Sequence, residues 1–215
     1  MAESDLAVAA AGLTLMTRRG TVYDNIDVTA PAGALVAFTG PAGSGRTALL
    51  LTLAGRMRHT SGAAQVCGHS LPRAAAAVRR CVGLGETSRV NDLDSALGVG
   101  AVMRAELLLA GRPAAARDIA SALDVAGLDP YRTTRIDSLD VPDRFALGVA
   151  LGLAGRPRVL AVDDAGLGCT PAERRAVWAL LRTIADSGVT VLAATPDADG
   201  CGADVYVEVR RDAVA

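Results

Sequence analysis

Apolar residues recur among polar ones at 13–17 and 22–29, with alternation clear at Leu13-Thr14-Leu15 and Ile26-Asp27-Val28-Thr29, and these segments read as two short strands around a turn at 18–21. Pro31-Ala32-Gly33 marks a turn, and residues 34–39 form an unbroken apolar run suited to a buried strand. A glycine-rich stretch follows at once and leads into a helix over 47–56. Residues 63–67 read as a strand, 72–80 as a helical turn or two, and 81–85 as another strand. The middle then changes character. Helical patterns cover 95–109 and 113–126, with Gly111-Arg112-Pro113 between them, and no strand pattern interrupts residues 91–137. A further helix over 142–154 precedes the apolar strand 159–162. Pro171 at the first turn and Gly188 past the end frame a helix over 171–187. Strands at 189–194 and 205–209 complete the chain.

The order is a β-rich start, strand–loop–helix, a helical insertion, then strand–helix–strand. Such alternation predicts an α/β fold: a mostly parallel sheet flanked by helices, with an N-terminal antiparallel β part. We expect one domain over 1–215, in which 1–90 form the β part and the loop-bearing core, 91–140 a helical subdomain, and 141–215 the rest of the core.

Gly40-Pro41-Ala42-Gly43-Ser44-Gly45-Arg46-Thr47 fits the phosphate-loop pattern G-x-x-x-x-G-K-[ST] with one change, Arg46 for lysine. An apolar strand precedes it, and the helix from Thr47, with Ala48 next in its first turn, follows. Glycines let backbone N–H groups curl round an anion, and the helix adds its positive end. The Thr47 hydroxyl is placed to bind Mg²⁺. These features make residues 40–48 the expected nucleotide site in a P-loop NTPase-type fold. Arginine keeps the positive charge but is longer, planar and bidentate where lysine is a compact point charge.

The strand 159–162 ends in Asp163-Asp164. A first carboxylate here reaches Mg²⁺, directly or through water, and a second orients or deprotonates the attacking water. Thr47 and Asp163 are thus the expected metal residues, and Asp164 the expected catalytic one.

Composition narrows the partners. At 51% hydrophobic residues the chain has enough to build a core, which argues against disorder. With 3% aromatics and a net charge of −1, nucleic acid is not an expected partner. Arginine pairs such as Arg18-Arg19, Arg79-Arg80 and Arg210-Arg211 read as solvated surface. Cys67, Cys81, Cys169 and Cys201 show no CxxC spacing, which argues for thiols in or near a core rather than zinc ligands. The apolar stretch 96–110 is broken by Arg104 and Glu106, and the first residues carry Glu3 and Asp5 rather than the positive charge of a signal peptide. We therefore expect a cytoplasmic protein, with peripheral membrane association through a partner left open. A GTPase would need Asn/Thr-Lys-x-Asp, which does not occur, and Arg104, Arg112 and Arg117 are too scattered for a kinase lid.

With these motifs the chain resembles the ATP-binding domain of ABC transporters along nearly its whole length. Arg156-Pro157-Arg158-Val159, Pro171-Ala172-Glu173-Arg174-Arg175 and Gly188-Val189-Thr190-Val191-Leu192 follow the C-terminal half of that family. The resemblance implies Mg·ATP as ligand, a head-to-tail homo- or heterodimer with a second ATP-binding subunit, and integral membrane permease partners. It also implies departures. The signature LSGGQ falls at Leu139-Asp140-Val141-Pro142-Asp143, keeping only the Leu. The family's catalytic Glu is Asp164, one methylene shorter, and its switch His is Pro196. The D-loop maps onto Leu167-Gly168-Cys169-Thr170, keeping only the Gly. Glu86 is nearest to the Q-loop Gln, and Tyr23 is a candidate for stacking on adenine, with a half-buried strand role as the other reading. Groups that hold nucleotide persist and groups that complete the γ-phosphate site are altered. The expectation is an ATP-binding transport subunit with weak or partner-dependent hydrolysis; the alternative is a non-hydrolysing sensor or scaffold.

Overall fold

Strand β7 (Val159–Val162) shows how the core is built. All four residues are buried, and they part by period two: Val159 and Ala161 enter one apolar cluster, Leu160 and Val162 the other. β3 (Leu35–Thr39) does the same, sending Val36 and Phe38 to the first cluster and Leu35 and Ala37 to the second. A strand with both faces covered needs no polar alternation, which explains the unbroken apolar runs.

The structure, a computed structural model, describes residues 6–85, 96–109, 115–128 and 133–210. The expected turn at 111–113 and Glu86 lie outside the described residues. A four-stranded antiparallel sheet has the order β2-β1-β4-β5, from β1 (Leu6–Thr17), β2 (Gly20–Pro31), β4 (Ser61–Val66) and β5 (His69–Leu71). A five-stranded parallel sheet has the order β6-β7-β8-β3-β9, adding β6 (Val82–Leu84), β8 (Thr190–Thr195) and β9 (Val205–Glu208).

Two differences from the sequence reading stand out. β1 and β2 run 12 residues each, not five and eight, and the turn shrinks to Arg18-Arg19. The alanine-rich segment before Leu13 has helical propensity, but pairing with both β2 and β4 overrides it and buries Val8 and Ala10. β5 was not expected. It has three residues, too few to show alternation, and register with β4 alone defines it.

The helices are α1 (Arg46–Leu53), α2 (Ala75–Cys81), α3 (Val99–Leu109), α4 (Ala116–Val125), α5 (Val141–Leu153) and α6 (Pro171–Asp186). α6 starts where expected. Thr170 accepts from the Glu173 N–H while the Glu173 carboxylate accepts from the Thr170 N–H, and Pro171 opens the first turn. α3, α4 and α5 share a separate core around Met103, Leu123, Leu128 and Leu147. No helix among the described residues is long and apolar enough to cross a membrane. Cys67, Cys169 and Cys201 are buried and unbridged.

Candidate functional site

The chain leaves β3 at Thr39 and enters α1 at Arg46, so the glycine-rich loop lies at the C-terminal edge of the parallel sheet. β7 lies two strands away, across β8, and delivers Asp163 and Asp164 to the same edge. Open α/β sheets place ligands there because the loops and helix starts converge. Two glycines fix the loop's path. Gly40 has φ +149°, and a Cβ on it would run into the Val209 carbonyl. Gly45 has φ +99°, and a Cβ would strike the Val22 carbonyl of β2. The Ser44 N–H donates to the Pro41 carbonyl at 3.1 Å, closing a turn.

The expected metal residues meet. Thr47 Oγ1 donates to Asp163 Oδ2 at 2.6 Å, and Asp163 Oδ1 accepts from the Asp164 N–H at 3.0 Å. One hydroxyl and one carboxylate form a hard-oxygen pair of the kind Mg²⁺ takes from protein when phosphate and water supply the remaining ligands. The Ser44 hydroxyl is buried with no hydrogen-bond partner, a second polar group in the loop suited to an anionic ligand.

Burial raises the Asp163 carboxyl above its ordinary 3.8, opposed by the Thr47 hydrogen bond and aided by the Asp164 charge. A raised carboxyl favours the folded state in its protonated form, so ionised Asp163 costs stability above its folded pKa. Asp163→Asn keeps an oxygen to accept from the Asp164 N–H, turns its NH2 to donate to Thr47 Oγ1, and removes the charge. Thermal melts without Mg²⁺ should show the variant more stable at pH 7. That advantage should fade as pH falls through the folded pKa and vanish below 3.8. Equal melting temperatures at all pH values would contradict this.

Arg46 does not sit as a simple substitute for lysine. Its Nη1 donates back to the carbonyls of Gly40 and, at 2.8 Å, of Pro41, and its Nη2 lies 3.9 Å from Asp164 Oδ1. The side chain is 11% exposed, so the guanidinium is embedded against its own loop. Asp164 occupies φ +50°, a left-handed conformation that Asp tolerates better than most residues. The acid turn is tied to the end of β8: the Ala165 N–H donates to the Ala194 carbonyl and the buried Thr195 hydroxyl to the Ala165 carbonyl. Thr195 was not singled out from sequence; a hydroxyl ending an apolar strand was its one signal. A hollow of about 310 Å³ adjoins the acid pair, between it and Arg144 and Phe145 of α5.

The sequence profile described as ABC transporter matches residues 23–166, a span that includes both the loop and the acid pair. The chain belongs to the ABC transporter family. Among curated ABC relatives, the daunorubicin/doxorubicin resistance ATP-binding protein DrrA of Streptomyces peucetius is 29% identical over 195 residues, covering 88% of this chain and 57% of that protein. The ABC transporter ATP-binding/permease protein Rv1747 of Mycobacterium tuberculosis is 31% identical over 180 residues, covering 81% of this chain and 21% of that protein. The chain thus spans well under two thirds of the length of these relatives. Among solved structures, the fold is shared with the dimeric post-hydrolysis state of the ATP-binding cassette MJ0796 bound to ADP and Pi (TM-score 0.77, 17% identity, 94% of each chain). It is also shared with CbiO1 of Clostridium perfringens, part of the ABC transporter complex cbiONQ (TM-score 0.75, 19% identity, 91% of this chain and 80% of that one).

Within the ABC frame, the segment aligned with the signature, Leu139 to Asp143, opens α5. Asp140 is the N-cap, and its carboxylate accepts from the Asp143 N–H at 2.9 Å. Burial, then the charge of Asp140, raises the Asp143 carboxyl. Pro196 is exposed just past β8. Leu167 is exposed, while Cys169 is buried in the α6-side core. Tyr23 is not half-buried but wholly enclosed: its hydroxyl donates to Thr52 Oγ1 at 2.8 Å, and burial raises its pKa. A ring locked under α1 cannot stack on a base.

Proposed function

We propose that this chain is an ATP-binding subunit of an ABC-type transport system, with hydrolysis that is weak or depends on a partner. The observation that carries the reading is the Thr47–Asp163 hydrogen bond, which joins the phosphate loop to the acidic strand end. The backbone from Gly40 to Ala48 wraps the triphosphate, with Pro41, Ala42, Gly43, Ser44 and Gly45 supplying the turn and Arg46 a positive charge. Thr47 and Asp163 would hold Mg²⁺, which when bound neutralises phosphate charge. Asp164 accepts the proton of the attacking water or orients it.

The reading treats residues 1–215 as one cassette, with 91–140 as its helical subdomain. It works as a homo- or heterodimer with another ATP-binding subunit, docked on integral membrane permease subunits at the cytoplasmic face. The relatives support this: DrrA is an ATP-binding protein, Rv1747 joins ATP-binding and permease parts, and MJ0796 is dimeric. Three features favour slow turnover: the shorter acid at Asp164, Pro196 where a donor is expected, and the acidic start of α5. The same features support the second reading, a non-hydrolysing ATP sensor or scaffold.

Calorimetry with Mg·ATP, paired with a phosphate-release assay, tests both. The transport reading expects saturable heat below millimolar ATP and slow release that Asp164→Asn abolishes. No heat at millimolar ATP sinks the nucleotide site. Binding without release, even beside a competent partner subunit, selects the sensor.

A further inference from the structure

At the far end of α1 from the phosphate loop lies a hollow of about 400 Å³ whose walls carry Arg56, Arg58, Arg73 and Arg79 and no acidic side chain. It forms where α1 runs out at Gly55 and the segment before α2 packs against it. A Cβ on Gly55 would stand 2.9 Å from the Ala75 carbonyl, so the two segments touch at backbone level.

Two of the arginines have a local explanation. Arg56 Nη1 donates to the Ala54 carbonyl at 3.2 Å and Arg79 Nη1 to the Gly55 carbonyl at 2.8 Å, so both neutralise the carbonyl end of α1. Arg58 and Arg73 have no such role. Neither makes a hydrogen bond or ion pair among the described residues, yet both face the same hollow. The field there is felt by a neighbour: burial, then the charge of Arg58, holds His59 below the ordinary histidine pKa. The Nδ1 of His59 is buried without a partner, in the adjoining hollow that shares Arg73. Arg58 and Arg73 add two like charges beside Arg56 and Arg79, and an anion seated between them would relieve that repulsion.

We propose that this hollow is a second anion site, which binds a phosphate-bearing group of two or more charges. Guanidinium forks pair bidentately with phosphate oxygens, and two forks free of other partners supply the specificity. The group is either a soluble diphosphate or the headgroup of an anionic lipid. The site stands apart from the phosphate loop, at the opposite end of an eight-residue helix about 12 Å long.

The test compares the whole chain with Arg58→Ala/Arg73→Ala. Both side chains are exposed, so the melting temperature and ATP binding serve as fold controls. Titration with inorganic pyrophosphate should show an event in the wild type that weakens by about tenfold or more in the double variant. Arg58→Lys/Arg73→Lys, which keeps charge but loses the fork, should fall between. Only the difference between wild type and variant is read, so the result does not depend on what the phosphate loop binds. Sedimentation with phosphatidylcholine vesicles, with and without phosphatidic acid, whose phosphomonoester headgroup can carry two charges, separates the sources. Loss of anionic-vesicle binding in the double variant assigns a lipid headgroup; loss of pyrophosphate binding alone assigns a soluble ligand. The proposal is overturned if the double variant binds pyrophosphate and vesicles as the wild type does. It is equally overturned if the wild type ignores both and takes up a glutamate-rich peptide instead.

Discussion

Gly45→Val should abolish nucleotide binding while leaving a folded chain. At φ +99° a β-branched residue is strained, and its Cβ would overlap the Val22 carbonyl and crowd Tyr23 Cβ at 3.1 Å. Strain and overlap together cost about 2–5 kcal/mol. β2 cannot give way, because Tyr23 is anchored to Thr52 and fully enclosed. The loop must yield instead, and the N–H groups lose their common focus. Thermal melting should fall by roughly 5–15 °C, and calorimetry with Mg·ATP should show no saturable heat. Gly43→Ala is the matched control: its φ is +80°, but nothing stands within 4 Å of a new Cβ. It pays strain of about 1–2 kcal/mol without collision, and should bind ATP more weakly rather than not at all. Wild-type affinity in Gly45→Val would show that the loop does not hold the nucleotide.

The second large effect concerns Arg46 and Asp164 together. The guanidinium is held by the Gly40 and Pro41 carbonyls and lies beside Asp164. Lysine is a shorter point charge and would release those carbonyls, so Arg46→Lys should keep or raise ATP affinity, by up to about tenfold. Asp164→Glu extends the carboxylate by one methylene. A misplacement of about 1 Å can cost about 10²-fold in rate, so the double variant should release phosphate up to about 10²-fold faster than wild type. The gain has a cost in stability of about 1 kcal/mol, because Glu fits the φ +50° position less well than Asp. Single-turnover phosphate release and thermal melts read both effects. A rate unchanged in the double variant, with Asp164→Asn equally active, would remove Asp164 from the chemistry.

The elements that reached the sequence surface were those with a local signature. β3, β7 and the start of α6 could be read within a residue or so: two are unbroken apolar runs, and the third has its capping residues in series. What stayed hidden depends on partners distant in sequence. The first half of β1 is strand because β4 lies against it, and three-residue β5 exists by register alone. In the candidate site, the loop and acid pair are legible as motifs, and the fold brings Thr47 and Asp163 within hydrogen-bond distance. The folding-back of Arg46 was not legible, since one sequence position does not say which of two carbonyls or a far carboxylate will claim a guanidinium. Tyr23 shows the same limit: its strand role is legible, but that a helix covers it completely is a tertiary fact.

The start of α5 has its own consequence. An amide that already serves a carboxylate one turn away has nothing left for a guest, and the two acids around it turn the helix end from an attractor of phosphate into a barrier. Placed face to face with a second cassette, such an end would discourage the nucleotide held opposite, while this chain's own loop would still rely on what the other molecule presents. Under the dimer proposed above, a mixed pair would hold two unlike sites, one completed and one left open, and a pair of identical copies two open ones.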